Sequence, residues 1–314
     1  MKTRILGKNG PALTVVGFGA WAIGGPWEFG WGPVNDADSV AAIKRAFDRG
    51  INWIDTAAVY GLGHSEETVA KALGGMRHSV FIATKCGMIW DSKGNVRTHL
   101  GPSSIRSEIE NSLRRLKTDH VDLYQFHWPD PLTPVEDSWG VMLKLREEGK
   151  VRFIGVSNFD VLLLERCMAI APVQSLQPPF NLLKREVENE MLPYCRENGI
   201  GVVAYSPMMS GLLSGKFDAT RMSADDWRRK NKMFQEPLLS RELAFVDRLR
   251  PIAAKYSRTV GQLAVAWVNM NPAVTSSIVG ARTAEQVKEN VTADFEIDSG
   301  DMKIIESALE ETLQ

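Results

Sequence analysis

The sequence predicts an α/β fold: a (β/α)8 TIM barrel with an N-terminal β-hairpin, extra helices and a long loop after strand seven. Helix-periodic segments alternate with short, nearly uninterrupted apolar runs, the pattern of a parallel sheet covered by helices. Eight such runs can be counted, which is the number of strands that closes a barrel. The main alternative is a doubly wound open sheet. It is disfavoured because "GFGAWAIGG", after the first run, has glycines at the wrong spacing for a dinucleotide-binding G-x-G-x-x-G turn. Barrels commonly reach about 250 residues or more as one unit, so the 314-residue chain is read as a single domain, 1–314.

The elements follow in order. "KTRIL" and "ALTVV" flank "GKNGP", where Gly7, Asn9 and Gly10 supply turn conformations, so a hairpin comes first. Residues 15–19 form the first strand. "SVAAIKRAFDRG" puts Val40, Ile43 and Phe47 on one helical face, ends at Gly50 and feeds a strand over 51–55. "SEETVAKALGG" precedes "VFIATK", and "SSIRSEIENSLRRLK", with Ile105, Ile109, Leu113 and Leu116 in line, precedes "VDLYQFH". The unit recurs with "PVEDSWGVMLKLREEGK" before "VRFIGVSN", "VLLLERCMAI" before "PVQSLQPPF", and "EVENEMLPYCRENG" before "IGVVAYSP". "TVGQLAVAWVNMN" before "AVTSSIVG", then "TAEQVKEN", completes it. Residues 207–258 break the rhythm with "MMSGLLSGK", the charged "DDWRRKNK" and an extra helix, a connection long enough to expect that it folds over a ligand. A last amphipathic helix, "SGDMKIIESALEETLQ", is expected to start with Ser299 as its cap.

Composition narrows the functional classes. A net charge of −1 gives no general pull toward nucleic acid or anionic lipid, and no basic cluster stands out. The N-terminus lacks a signal-peptide apolar region and no window approaches a membrane span, so a cytoplasmic enzyme is expected. Cys86, Cys167 and Cys195 are read as reduced, buried thiols. His64, His78, His99 and His120 are scattered without ligand spacing, so no metal site is expected.

In such a barrel the strands' C-terminal ends face the active site. Three strands close on titratable groups: "INWID" on Asp55, "FIATK" on Lys85 and "LYQFH" on His127, with Tyr60 in the loop beyond Asp55. A phenol exchanges protons poorly near neutral pH unless its anion is stabilised. Lys85 beside it is expected to do this, Asp55 to keep Lys85 charged, and a neutral His127 to orient a carbonyl oxygen. Each residue alone also has a plain structural role open to it: a loop cap, a surface charge, a core histidine.

"GINWIDTAAVYGLGHSEETVAKAL", "FIATK", "VDLYQFHWPD", "IGVSNF", "VAYSP…GLLSGK" and "GARTAEQVKEN" resemble the aldo-keto reductase family, in order and over nearly the whole chain. Within it they look like the branch that includes the channel β subunits and bacterial inositol and general stress reductases. The resemblance implies a catalytic tetrad of Asp55, Tyr60, Lys85 and His127, with Tyr60 as general acid. It also implies a nicotinamide cofactor, usually NADPH, with NAD possible. Ser157, Asn158 and Gln177 would hold the carboxamide, with Trp21 nearby, and Tyr205 would stack on the ring. Ser206, Pro207, Met208, Ser210, Leu212 and Lys216 would cradle the pyrophosphate, with Arg228 adding to it. Gly280 and Arg282 would meet a 2′-phosphate, and Gln286, Glu289 and Asn290 the adenine. Ser210 departs from the "YSPLGRGLLTGK" common in relatives, which implies a looser cofactor clasp.

Trp21, Trp90 and Trp128 fall in mouth-side loops, with Trp27, Phe29 and Trp31 close by in sequence, and are read as lining a substrate pocket. Trp139 and Trp267 are read as packing. The reaction expected is NADPH-dependent reduction of a small-molecule aldehyde or ketone. Two alternatives remain: a dehydrogenase oxidising a sugar, polyol or pyridoxal-type substrate, and a redox-sensing regulatory subunit. The sequence leaves monomer or homo-oligomer open.

Overall fold

The computed structural model describes residues 1–224 and 226–313. Asp225, which opens "DDWRRKNK", lies outside the described residues. Strands β1 (Thr3–Ile5) and β2 (Ala12–Thr14) pair antiparallel as the expected hairpin. The barrel then alternates β3 (Val16–Gly19), α1 (Asp36–Asp48), β4 (Trp53–Asp55), α2 (His64–Leu73) and β5 (Phe81–Cys86). A second hairpin, β6 (Met88–Trp90) with β7 (Val96–Thr98), interrupts before α3 (Pro102–Leu116). The alternation resumes with β8 (Val121–Phe126), α4 (Val135–Glu147), β9 (Val151–Ser157), α5 (Val161–Met168), β10 (Ser175–Gln177), α6 (Met191–Asn198) and β11 (Gly201–Ala204). After the long connection come α7 (Leu238–Lys255), α8 (Val260–Met270), β12 (Val274–Gly280), α9 (Ala284–Asn290) and α10 (Ser299–Leu313). Strands β3, β4, β5, β8, β9, β10, β11 and β12 form one closed parallel barrel in chain order, with β12 returning to β3 in the register Ser277↔Val16 to Gly280↔Gly19.

The core has two parts because strand side chains alternate between faces. Outward residues such as Ile54, Ile82, Ile154 and Val202 meet Ile43, Ile109, Leu145 and Leu249 of the helices. Inward, at the strands' N-terminal end, Leu6 and Leu13 flanking the first hairpin's turn pack on Trp53, Phe81, Leu123 and Val203 and plug the barrel floor. The Trp53 indole N–H donates to Thr14 O and Ser276 Oγ, so this large ring is buried without an unpaired donor. Gly17 is required there: a Cβ at this position would lie 2.1 Å from the Trp53 ring. With the floor filled, the space for chemistry lies at the other end.

Two details differ from the sequence reading. The cap of α10 is Asp298, whose Oδ1 accepts the Asp301 N–H at 2.8 Å, and not Ser299; a carboxylate one residue earlier reaches the free amides of the first turn. The connection over 207–237 is not an open loop: short 3-10 turns carry Leu212 and Phe234, which bury together with Leu239 of α7.

Candidate active site

Barrel closure brings Asp55, the last residue of β4, beside Lys85, the penultimate residue of β5, with His127 one residue past β8. Tyr60 sits on a tight turn in which its own N–H donates to Ala57 O and that of Leu62 to Val59 O. Gly61, at φ +60°, lets this turn press on the loop after β3; a Cβ there would stand 1.7 Å from Gly24 O. Lys85 Nζ donates to Asp55 Oδ1 at 2.6 Å, Thr56 O at 2.9 Å and Tyr60 Oη at 3.2 Å. Its side chain is wholly buried and that of Asp55 is 4% exposed. The His127 ring meets the Tyr60 ring edge-on, centroids 5.6 Å apart.

A buried ion pair is costly to desolvate and needs its remaining valences filled. Here they are: Asp55 Oδ2 accepts from Gln177 Nε2 at 2.9 Å, which also reaches Gln125 Oε1, and Gln125 Nε2 donates to Ser175 Oγ. The titrations follow from burial. Lys85 is lowered by burial, opposed by Asp55 and, behind it, Glu66. His127 is held well below its ordinary value by burial and by the Lys85 charge, so it is neutral. Tyr60 is pushed well above an ordinary phenol by burial and then by Asp55. The sequence leads one to expect an acidified phenol beside Lys85; in the fold, burial and the neighbouring carboxylate act in the opposite direction. The phenol therefore keeps its proton at neutral pH.

On the other side of the mouth, Ser157 Oγ donates to Gln177 O, and Asn158 Nδ2 donates to His127 O at 2.9 Å. Tyr205 Oη donates to Asn158 Oδ1, tying β9, β10 and the end of β11 together. Ser206, at φ +58°, Pro207 and Met208 lead into a 3-10 turn, Met209–Ser214, in which Ser210 stands at φ +50°. Leu212 is fully buried and anchors this turn. Lys216 Nζ donates to Glu289 Oε2 at 2.7 Å, and Glu289 Oε1 accepts from Thr259. Arg282 donates a guanidinium N–H to Pro33 O and its backbone N–H to Gln286 Oε1. Asn290 donates to the carbonyl of Gly280, which pairs with Gly19 across β12 and β3. The residues the sequence reads as cofactor-binding thus come from the neighbouring strands β9 to β12 and the segments that follow them, out to α9.

The aromatic residues divide. Trp21 lies on a short turn after β3, with ring centroids 5.5 Å from Trp31 and 5.8 Å from Trp227. Arg228, paired with Asp226 at 2.6 Å, lays its guanidinium 4.4 Å from the Trp31 centroid and donates to Ser210 O. Trp27 lies 6.2 Å from the Tyr60 ring, and Trp90 packs in the same small cluster. Trp128 is 43% exposed at the rim. Trp227 was not anticipated; its position in "DDWRRKNK" reads as a charged surface, and only the fold carries it across to Trp21. Trp139 and Trp267 are core, as expected. Among the described residues the three cysteines are free and buried, no cluster could hold a metal ion, and no helix is long and apolar enough to cross a membrane.

A closed parallel barrel with an acid, an ammonium, a phenol and an imidazole at its C-terminal mouth defines a (β/α)8-barrel enzyme. The chain belongs to the Aldo/keto reductase family, whose model matches residues 15–310. It is 39% identical to aldo-keto reductase YhdN of Bacillus subtilis, over all of this chain and 95% of that protein. It is 37% identical to the NADH-specific methylglyoxal reductase of Escherichia coli, over 93% of each. Among solved structures, the glycerol dehydrogenase of Gluconobacter oxydans superposes with a TM-score of 0.90 at 38% identity, covering 99% of this chain and 95% of that one. Carbonyl–alcohol chemistry with a nicotinamide cofactor is the family's work.

Proposed function

We propose that the protein reduces aldehydes and ketones to alcohols with NADPH, Tyr60 acting as general acid. The observation that carries this reading is Lys85 Nζ, held between Asp55 and Tyr60 at 2.6 and 3.2 Å beside a neutral His127. The donor set suits a dinucleotide: amides and hydroxyls from Ser157, Asn158 and Gln177 near the tetrad, the Tyr205 ring, then Ser210, Lys216, Arg228 and Arg282 further out for phosphates. Arg282 at the turn into α9 favours a 2′-phosphate, hence NADPH over NADH. The cofactor supplies a hydride to the carbonyl carbon. His127 donates a hydrogen bond to the carbonyl oxygen and fixes its direction. As negative charge grows on that oxygen, Tyr60 releases its proton to it, giving the alcohol. Lys85 compensates the phenolate that remains, and Asp55 holds Lys85 in place.

The mouth supports small oxygenated substrates. Trp27, 6.2 Å from the Tyr60 ring, carries a buried indole N–H with no partner among the described residues, and such a donor suits a hydroxyl or second-carbonyl oxygen beside the reacting group. Methylglyoxal and glycerol, in the names of two relatives, are of this size. Glycerol also favours the second reading, oxidation of a polyol by the same residues in reverse. An NAD(P)H-consumption screen over dicarbonyls, hydroxyaldehydes and aromatic aldehydes, run beside nucleotide reduction with polyols, tests both. Rapid NADPH turnover on a dicarbonyl is expected and would dismiss a redox-sensing subunit. Inertness toward every carbonyl and polyol with either nucleotide overturns the proposal.

A further inference from the structure

Strand β5 presents Lys85 to the barrel interior, so its neighbours Thr84 and Cys86 face the helices. In that apolar layer lies an ion pair the mechanism above does not use. Thr84 Oγ1 donates to Glu66 Oε1 at 2.6 Å, and Arg115 Nε donates to Glu66 Oε2 at 2.7 Å. Glu66, on α2, is fully buried and the Arg115 side chain, on α3, is 18% exposed. Arg115 also donates to Ser112 Oγ, and its guanidinium lies 5.9 Å from the Trp90 ring centroid. An apolar pair of similar volume would commonly serve stability as well or better, so the charges themselves call for a reason. Read through the barrel wall, the signs alternate: Asp55, Lys85, Glu66, Arg115.

We propose that Glu66, with Arg115 as counterion, is a positioning residue for the proton donor: it fixes β5 at Lys85 from outside and supplies the second negative charge that keeps the Lys85–Tyr60 pair protonated. This rests on Tyr60 and Lys85 acting as proposed above. Besides the Lys85–Tyr60 and Glu66–Arg115 pairs, the titratable groups nearby are Asp55 of β4, His127 after β8, Glu108 of α3, Cys86 of β5 and Tyr124 of β8. Burial keeps the Cys86 thiol and the Tyr124 phenol well above their ordinary values, and lifts the Glu108 carboxyl to about 7. Glu108 accepts the Gly87 N–H at 2.8 Å, a second brace just beyond Lys85. Glu66 adds to Asp55 in favouring the Lys85 ammonium.

The test compares Glu66→Gln, Arg115→Met and the double variant in the full chain, reading the alkaline limb of the pH profile for carbonyl reduction. Glu66→Gln keeps an acceptor for Thr84 but removes a negative charge, so the limb moves to lower pH, by about half a unit or more. Arg115→Met removes a positive charge and moves the limb to higher pH. The double variant returns it close to wild type, with KM for the nucleotide within about twofold throughout. Limbs that stay at the wild-type position in both single variants, whatever happens to kcat or Tm, overturn the inference. If Glu66→Gln does not fold, Arg115→Met and the double variant still decide by the same shifts. Should Tyr60→Phe retain turnover, the proton-donor reading fails and this inference with it; an inactive Tyr60→Phe with immobile limbs defeats this inference alone.

Discussion

The two sides of the barrel mouth are built differently. Asp55 and Lys85 sit within strands, buried, with their polar atoms partnered and their positions set by ladder register. Two of the cations read as cofactor-binding sit instead on turns: Lys216 is 65% exposed and pairs with Glu289, and among the described residues the Arg282 guanidinium reaches a carbonyl from the loop before α1. Exposed pairs of this kind contribute little to stability, about 0 to 1 kcal/mol, whereas breaking a buried pair is severe. On the proposed function, the barrel would fix the geometry of proton transfer, and nucleotide affinity would rest on Lys216 and Arg282, which can change without disturbing it.

The largest effect that would break this contrast belongs to Lys85. Lys85→Met leaves Asp55 buried with no cation, and a loss of about 3–5 kcal/mol is expected in denaturant unfolding, together with turnover. Adding Asp55→Asn should restore much of the stability and none of the turnover. A stable single variant would show that the pair is not the constraint described here.

Glu108 sharpens the contrast from the outer face. Its carboxyl stands at about 7, against 4.5 for a free side chain. Between those values the folded chain holds a proton that the unfolded chain has released, so stability falls as pH rises through that window. Glu108→Gln removes this fall, and comparing unfolding midpoints with wild type at pH 5 and 8 should show a difference of up to about 3 kcal/mol. Glu242, also lifted to about 7 by burial, is common to both proteins and cancels. Identical pH dependence in the two would remove Glu108 from the account.

Smallest is the expected effect on the exposed side. Arg282→Ala should raise KM for NADPH about tenfold, leave that for NADH within about twofold, and barely move Tm. Equal changes for the two nucleotides would take the 2′-phosphate away from Arg282.

Much of this was legible in the sequence. Continuous apolar runs between amphipathic helices gave the barrel, and polar residues closing three of those runs gave Asp55, Lys85 and His127. The hairpin of β6 and β7 was not, because "GMIWDSKGNVRTHL" has strands of three residues each, too short for a period to register. Glu66 reads as an ordinary acidic residue in a helix's first turn, and nothing local announces Arg115, 49 residues on. A signal was present even so: Glu66 shares its helical face with Val69 and Leu73, as Glu108 does with Ile105 and Ile109, so both carboxylates fall on faces that must be buried. The direction of the Tyr60 shift was missed for a different reason. Sequence names the neighbours of a group, but only the fold says how much water is removed from it.

The central claim, that the buried phenol of Tyr60 delivers the proton, is tested most directly by stopped-flow single turnover of Tyr60→Phe with NADPH already bound and a reactive dicarbonyl added. The account expects nucleotide affinity within about twofold of wild type and a reduction rate lower by at least about a hundredfold. Reduction at the wild-type rate would contradict it.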